Sequence, residues 1–109
     1  MDYRLKKEKD FDLVFKKGKK IFSKFLTLIY LPSEELKIGI AVGKKHGGSV
    51  KRNRIKRLLR ESIRSFTPKI SQNFFFVIIP KVTDEYSLEN FKRDLGYLLN
   101  KGGFIDEKK

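Results

Sequence analysis

The stretch Ser49 to Phe66, SVKRNRIKRLLRESIRSF, leaves the chain few structural options. At 3.6 residues per turn it gathers Asn53, Lys56, Arg57, Arg60 and Arg64 into one arc, with Ile55, Leu58, Leu59, Ser62 and Phe66 roughly opposite. One face can pack; the other repels itself, because cations at i,i+4 such as Lys56 with Arg60, and Arg60 with Arg64, are mutually unfavourable. Gly47 and Gly48 release the chain ahead of this helix, Ser49 is the expected N-cap, and Pro68 closes it two residues beyond Phe66. A solvated surface helix intersperses carboxylates, yet between Lys51 and Arg64 the only acid is Glu61. Lys51 and Arg52 also occupy the first turn, where the macrodipole is positive and cations are least favourable. A bound polyanion removes both costs, so this face points to an anionic ligand.

The rest of the composition agrees. A chain of 109 residues is one domain by length, with room for a single modest core. Its 26 Lys and Arg against 13 Asp and Glu give a formal charge of +13, which implies a partner such as nucleic acid or an anionic membrane surface. Hydrophobic residues at 39% are enough for a core, which excludes a wholly disordered basic tail. The absence of cysteine removes disulfides and thiolate metal sites and fits a reducing cytoplasm. No apolar run approaches the ~18 residues of a spanning helix, and MDYRLKKEKD lacks the apolar centre of a secretory signal.

In chain order, residues 1 to 6 read as a basic, extended, flexible lead-in. From Lys7 a short helix is expected, stopped by Gly18, with Phe11 and Phe15 four apart on one face and Lys7, Lys16 and Lys17 beside them. Core packing is the ordinary use of such a pair and is expected of at least one ring; the functional use is a stacking platform for unpaired bases. FLTLIYL, residues 25 to 31, is a strand with Phe25, Thr27, Ile29 and Leu31 on one side and Leu26, Leu28 and Tyr30 on the other, covered on both. LKIGIAV, 36 to 42, is the next, and its small Gly39 and Ala41 let a helix or a ligand approach closely. FFFVII, 74 to 79, does not alternate and is expected at the sheet centre. Leu88 to Asn100 is a second amphipathic helix with Ser87 or Asp84 as its cap, and the tail from Phe104 onward is expected to fray.

No catalytic constellation emerges. GKKHGGSV resembles a phosphate-binding P-loop only superficially, because Gly48 is followed by Ser49 and Val50 instead of Lys and Ser or Thr. His46 is the only histidine, so metal ligation and triad chemistry lack partners; contact with phosphate or solvent is expected of it. The acids are scattered over turns and form no metal-binding nuclease motif.

The segment GKKHGGSVKRNRIKRLLRE, with its core Lys51-Arg52-Asn53-Arg54-Ile55-Lys56-Arg57, resembles the RNR signature of the bacterial ribonuclease P protein subunit. DFDLVFKKGKK resembles that family's first helix, and FLTLIYL, LKIGIAV and FFFVIIP fall where its strands belong. The resemblance implies an α+β fold: a single α/β sandwich like ribosomal protein S5 domain 2, with about four strands and a left-handed βαβ crossover that the general right-handed rule does not predict. It implies a catalytic RNA partner that removes the 5′ leader of precursor tRNA, with Mg²⁺ held mainly by the RNA, no membrane and no small-molecule substrate. Carried over by position, the catalytic-RNA contacts are Lys44, Lys45, Arg52, Asn53, Arg54, Lys56, Arg57 and Arg60. Phe11 and Phe15, with Lys16 and Lys17 beside them, match the leader cleft. For the family's further aromatic on the second strand, either Tyr30 substitutes from one position along or the contact is apolar. A ribosomal or ribosome-assembly RNA-binding protein on the same scaffold is the alternative; a DNA-binding helix module suits the sheet and the aromatic pair less well.

Overall fold

The most apolar run of the chain takes the most enclosed place. In the computed structural model, which describes residues 3–105, β4 (Phe74–Pro80) pairs antiparallel with β2 (Leu26–Pro32) and parallel with β3 (Lys37–Ile40). A short β1 (Lys19–Phe22) adds antiparallel to the outer side of β2, giving the order β1-β2-β4-β3. A strand with a neighbour on each side and a layer on each face has no solvent side to alternate towards, which is why FFFVII is apolar throughout.

The two faces carry different helices. On one, Leu26, Leu28, Phe76 and Ile78 pack against Ile55, Leu59 and Phe66 of α2 (Ser49–Phe66) and Phe91, Leu95, Leu98 and Leu99 of α3 (Leu88–Lys101). On the other, Ile29 and Val77 meet Leu5 and Val14, the latter from α1 (Glu8–Lys17). The residues described thus form one α+β domain of three helices on a mixed four-stranded sheet. α2 joins the parallel neighbours β3 and β4, so the RNR segment is itself the βαβ crossover. No helix among the described residues is long and apolar enough to cross a membrane.

Several local expectations are corrected. Ser49 does not cap α2: Gly48 holds the extended N-cap position and Ser49 is the first helical residue, with no side-chain cap bond. Ser87 does cap α3, accepting a hydrogen bond from the Asn90 N–H at 3.1 Å. The lead-in is docked where it is described: Ile38 N–H donates to Tyr3 O at 2.7 Å and Leu5 N–H to Ile38 O at 3.0 Å, laying the chain along the free edge of β3. Leu5 is the reason, since its side chain is buried beside Val14. The tail is likewise packed up to residue 105. Phe104 lies among Tyr30, Phe74 and Phe76 at centroid distances of 5.0, 4.9 and 4.8 Å, and Ile105 is buried with it. Residues 1–2 and 106–109 lie outside the described residues. β1 was not anticipated, because KKIF is short and half charged; lysines are what a sheet edge tolerates.

Candidate nucleic-acid interface

α2 divides as its periodicity requires. Ile55, Leu59, Ser62 and Phe66 are buried, while Asn53, Arg54, Arg57, Arg60 and Arg64 are exposed. Arg57, Arg60 and Arg64 line up with Asn53 as a ridge, Arg54 stands on one flank, and Lys56 and Arg52 are half-buried on the other. Glu61 pairs with Arg64 at 2.9 Å, the one carboxylate among the described residues that neutralises this face. The Arg52 Nε is enclosed without a hydrogen-bond partner, so the side chain is held against the protein at its base. Lys44 and Lys45 are exposed on a 3₁₀ turn, Lys44–His46, immediately before α2.

His46 corrects the sequence reading. It faces neither phosphate nor solvent but is buried, 2% exposed. The Gly43 N–H donates to its Nδ1 at 3.0 Å, which leaves the ring proton on Nε2 to be donated to Pro80 O at 2.7 Å. The histidine therefore ties the lysine-bearing turn to the end of the central strand. Gly47 follows at φ +124°, a left-handed conformation that glycine adopts without strain.

The α1 side of the sheet is a second, differently built surface. Phe11 and Phe15 are stacked, with centroids 6.5 Å apart and planes 29° from parallel. Phe11 is the core-packed member: a Cβ on Gly39 would lie 2.5 Å from its Cζ, so the small residue on β3 admits this ring, and the close approach foreseen there is made by a helix. Phe15 is 41% exposed, and Lys16 and Lys17 beside it are exposed. Tyr30 does not join them. It lies on the opposite face, edge-on to Phe74 and Phe104, so of the two readings of the second strand only the apolar one fits the α1 side, where Ile29 stands.

Two features escaped the sequence. An open groove of about 940 Å³ runs along the β3 edge between the docked N-terminal segment and α2, with Arg4, Lys6, Lys56, Arg60 and Arg64 on its walls. Its N-terminal wall follows from the apolar Leu5 between Arg4 and Lys6, a one-residue signal. The other is Phe22 on β1, which register places on the α1 side opposite Thr27, and which alternation from Ile21 could have found.

The ribonuclease P family model matches residues 1–103. The chain belongs to the ribonuclease P protein family. The ribonuclease P protein component of Oceanobacillus iheyensis is 37% identical over 107 residues, which cover 94% of this chain and 88% of that one. Among solved structures, the ribonuclease P protein of Staphylococcus aureus superposes with a TM-score of 0.85 at 24% identity, covering 97% of this chain and 100% of that one. That of Thermotoga maritima gives 0.80 at 27%, covering 95% and 98%. A ribonuclease P protein is a subunit of the tRNA-processing endoribonuclease, a ribonucleoprotein, so an RNA subunit is its partner. The ribosomal alternative on the same scaffold is not the family that the sequence matches.

Proposed function

We propose that this ribonuclease P protein divides its RNA contacts between the two surfaces just described. The α2 ridge, with Arg52, Asn53, Arg54, Lys56, Arg57 and Arg60, and the adjoining Lys44 and Lys45 bind the catalytic RNA. The α1 side, with Phe11, Phe15, Lys16 and Lys17, binds the single-stranded 5′ leader of precursor tRNA. The observation that carries this reading is the exposed cationic row on α2, whose self-repulsion is relieved, among the described residues, by no acid but Glu61. Binding folded RNA replaces that repulsion with phosphate contacts and releases counterions. An exposed ring flanked by lysines takes unpaired bases with little sequence preference.

The protein's part in the reaction is to raise substrate affinity and hold the precursor against the RNA. RNA-held Mg²⁺ supplies the hydrolytic chemistry. Among the described residues no three His, Cys, Asp or Glu side chains gather to hold a metal ion. The setting is the cytoplasm, where precursor tRNA is processed. The test is Arg57→Ala, expected to weaken binding to the catalytic RNA and to reduce its salt slope by roughly one phosphate contact. An unchanged affinity and slope would remove Arg57 from the interface.

A further inference from the structure

Phe22 ends β1, an edge strand, and is 55% exposed. Its pairing with Thr27, and Thr27's with Ile79, sets the ring in a row on the α1 side, while its neighbour Ile21 packs into the core on the other face. A lone exposed ring needs no explanation, but this one is held in place. The turn directly after it is pinned to α3: the buried Asp94 carboxylate accepts from Ser23 Oγ at 2.8 Å and from the Phe25 N–H at 2.6 Å. The Lys81 ammonium donates to Ser23 O at 2.6 Å and lies 5.8 Å from the Phe22 ring centroid. Lys20, two residues back on the same strand face, is exposed, and the His46–Pro80 bond brings the Lys44–His46 turn to the residue preceding Lys81. The result is a ring held in place with a cation over it and further lysines nearby, suited to a base on the ring surface that remains exposed and a phosphate on the ammonium.

We propose that Phe22 and Lys81 form a third stacking position for an unpaired nucleotide of single-stranded RNA, extending the base-binding surface from α1 onto the β1 edge. This rests on the α1 side being the leader surface. On that basis the leader track of this chain is wider than the Phe11–Phe15 pair.

The test uses holoenzyme reconstituted with the catalytic RNA and compares its affinity for precursor tRNA carrying a long leader with that for the same tRNA lacking one. Phe22→Ala is expected to weaken binding of the leader-bearing RNA by roughly tenfold, the loss of one stacked base, and to leave the leaderless RNA unaffected. Phe22→Tyr is expected to retain the affinity. Lys81→Gln, which keeps the ring, is expected to lose part of the same leader-dependent affinity and about one contact of salt slope. Phe15→Ala separates the two levels of the argument. If it abolishes leader-dependent binding while Phe22→Ala and Lys81→Gln do not, the β1 position is wrong and the leader surface stands. If none of the three variants affects leader-dependent binding, both fall. Equal weakening of leaderless RNA by Phe22→Ala would make the ring a general support and overturn the assignment.

Discussion

Asp94 and His46 do at single positions what the hydrophobic core cannot, fixing the loops that present the groups proposed to face RNA. Asp94 is a carboxylate 5% exposed on α3 whose oxygens accept from Ser23, from Phe25 N–H and, more loosely, from Arg93 Nε at 3.5 Å. Asp94→Ala leaves the buried Phe25 N–H unpaired and removes the bond from Ser23, whose hydroxyl keeps only Leu26, so a loss of about 1–3 kcal/mol is expected, read as a lower urea midpoint with the denaturant slope unchanged. An unmoved midpoint would show that the turn is held by packing alone. Neither residue's role was legible in the sequence, and for one reason. The partners that let them tie distant segments together are 69 to 71 residues away for Asp94 and 34 away for His46, so no local spacing announces them. Tyr30 failed differently: alternation sorted it correctly with Leu26 and Leu28, but which of the two faces α1 covers is decided by the helix, not by the strand.

At the level of elements, the amphipathic helices and the central strand were readable because each carries its own pattern. α2 shows its cationic arc and its buried arc at helical spacing, β4 shows unbroken apolarity, and α3 shows a leucine stripe with a Ser cap. β1 and the docked residues 3–5 were not, since each is too short and too charged to exhibit a period and exists only because a neighbouring strand offers an edge. The packing of α1 on the sheet depends on one missing side chain. Gly39→Val places carbon atoms where the Phe11 ring now lies, and a valine there is expected to push that ring out, costing about 1–3 kcal/mol and unstacking it from Phe15. Thermal unfolding and leader-dependent precursor binding should both worsen. Stability falling with leader binding intact would show that Phe11 serves only the core.

Across the whole molecule, a formal charge of +13 on 109 residues makes folding and RNA binding respond to salt in opposite senses. Lowering ionic strength from about 0.1 M to about 0.01 M lengthens the screening distance from roughly 10 Å to roughly 30 Å, which unmasks self-repulsion in the free protein while strengthening its grip on RNA. The free protein is therefore expected to melt at a lower temperature in dilute salt and to recover when the catalytic RNA is added, a shift that calorimetry or circular dichroism reads directly. A melting temperature independent of salt would mean that the charges are spaced too widely for their repulsion to weigh on folding. The central claim is that the α2 ridge exists to grip a folded catalytic RNA. Its most direct test is to titrate that RNA with protein carrying Arg57→Glu and Arg60→Glu together, exposed positions whose replacement leaves the core untouched. The account predicts loss of assembly at salt concentrations where the unaltered protein binds; assembly at unchanged affinity would contradict it.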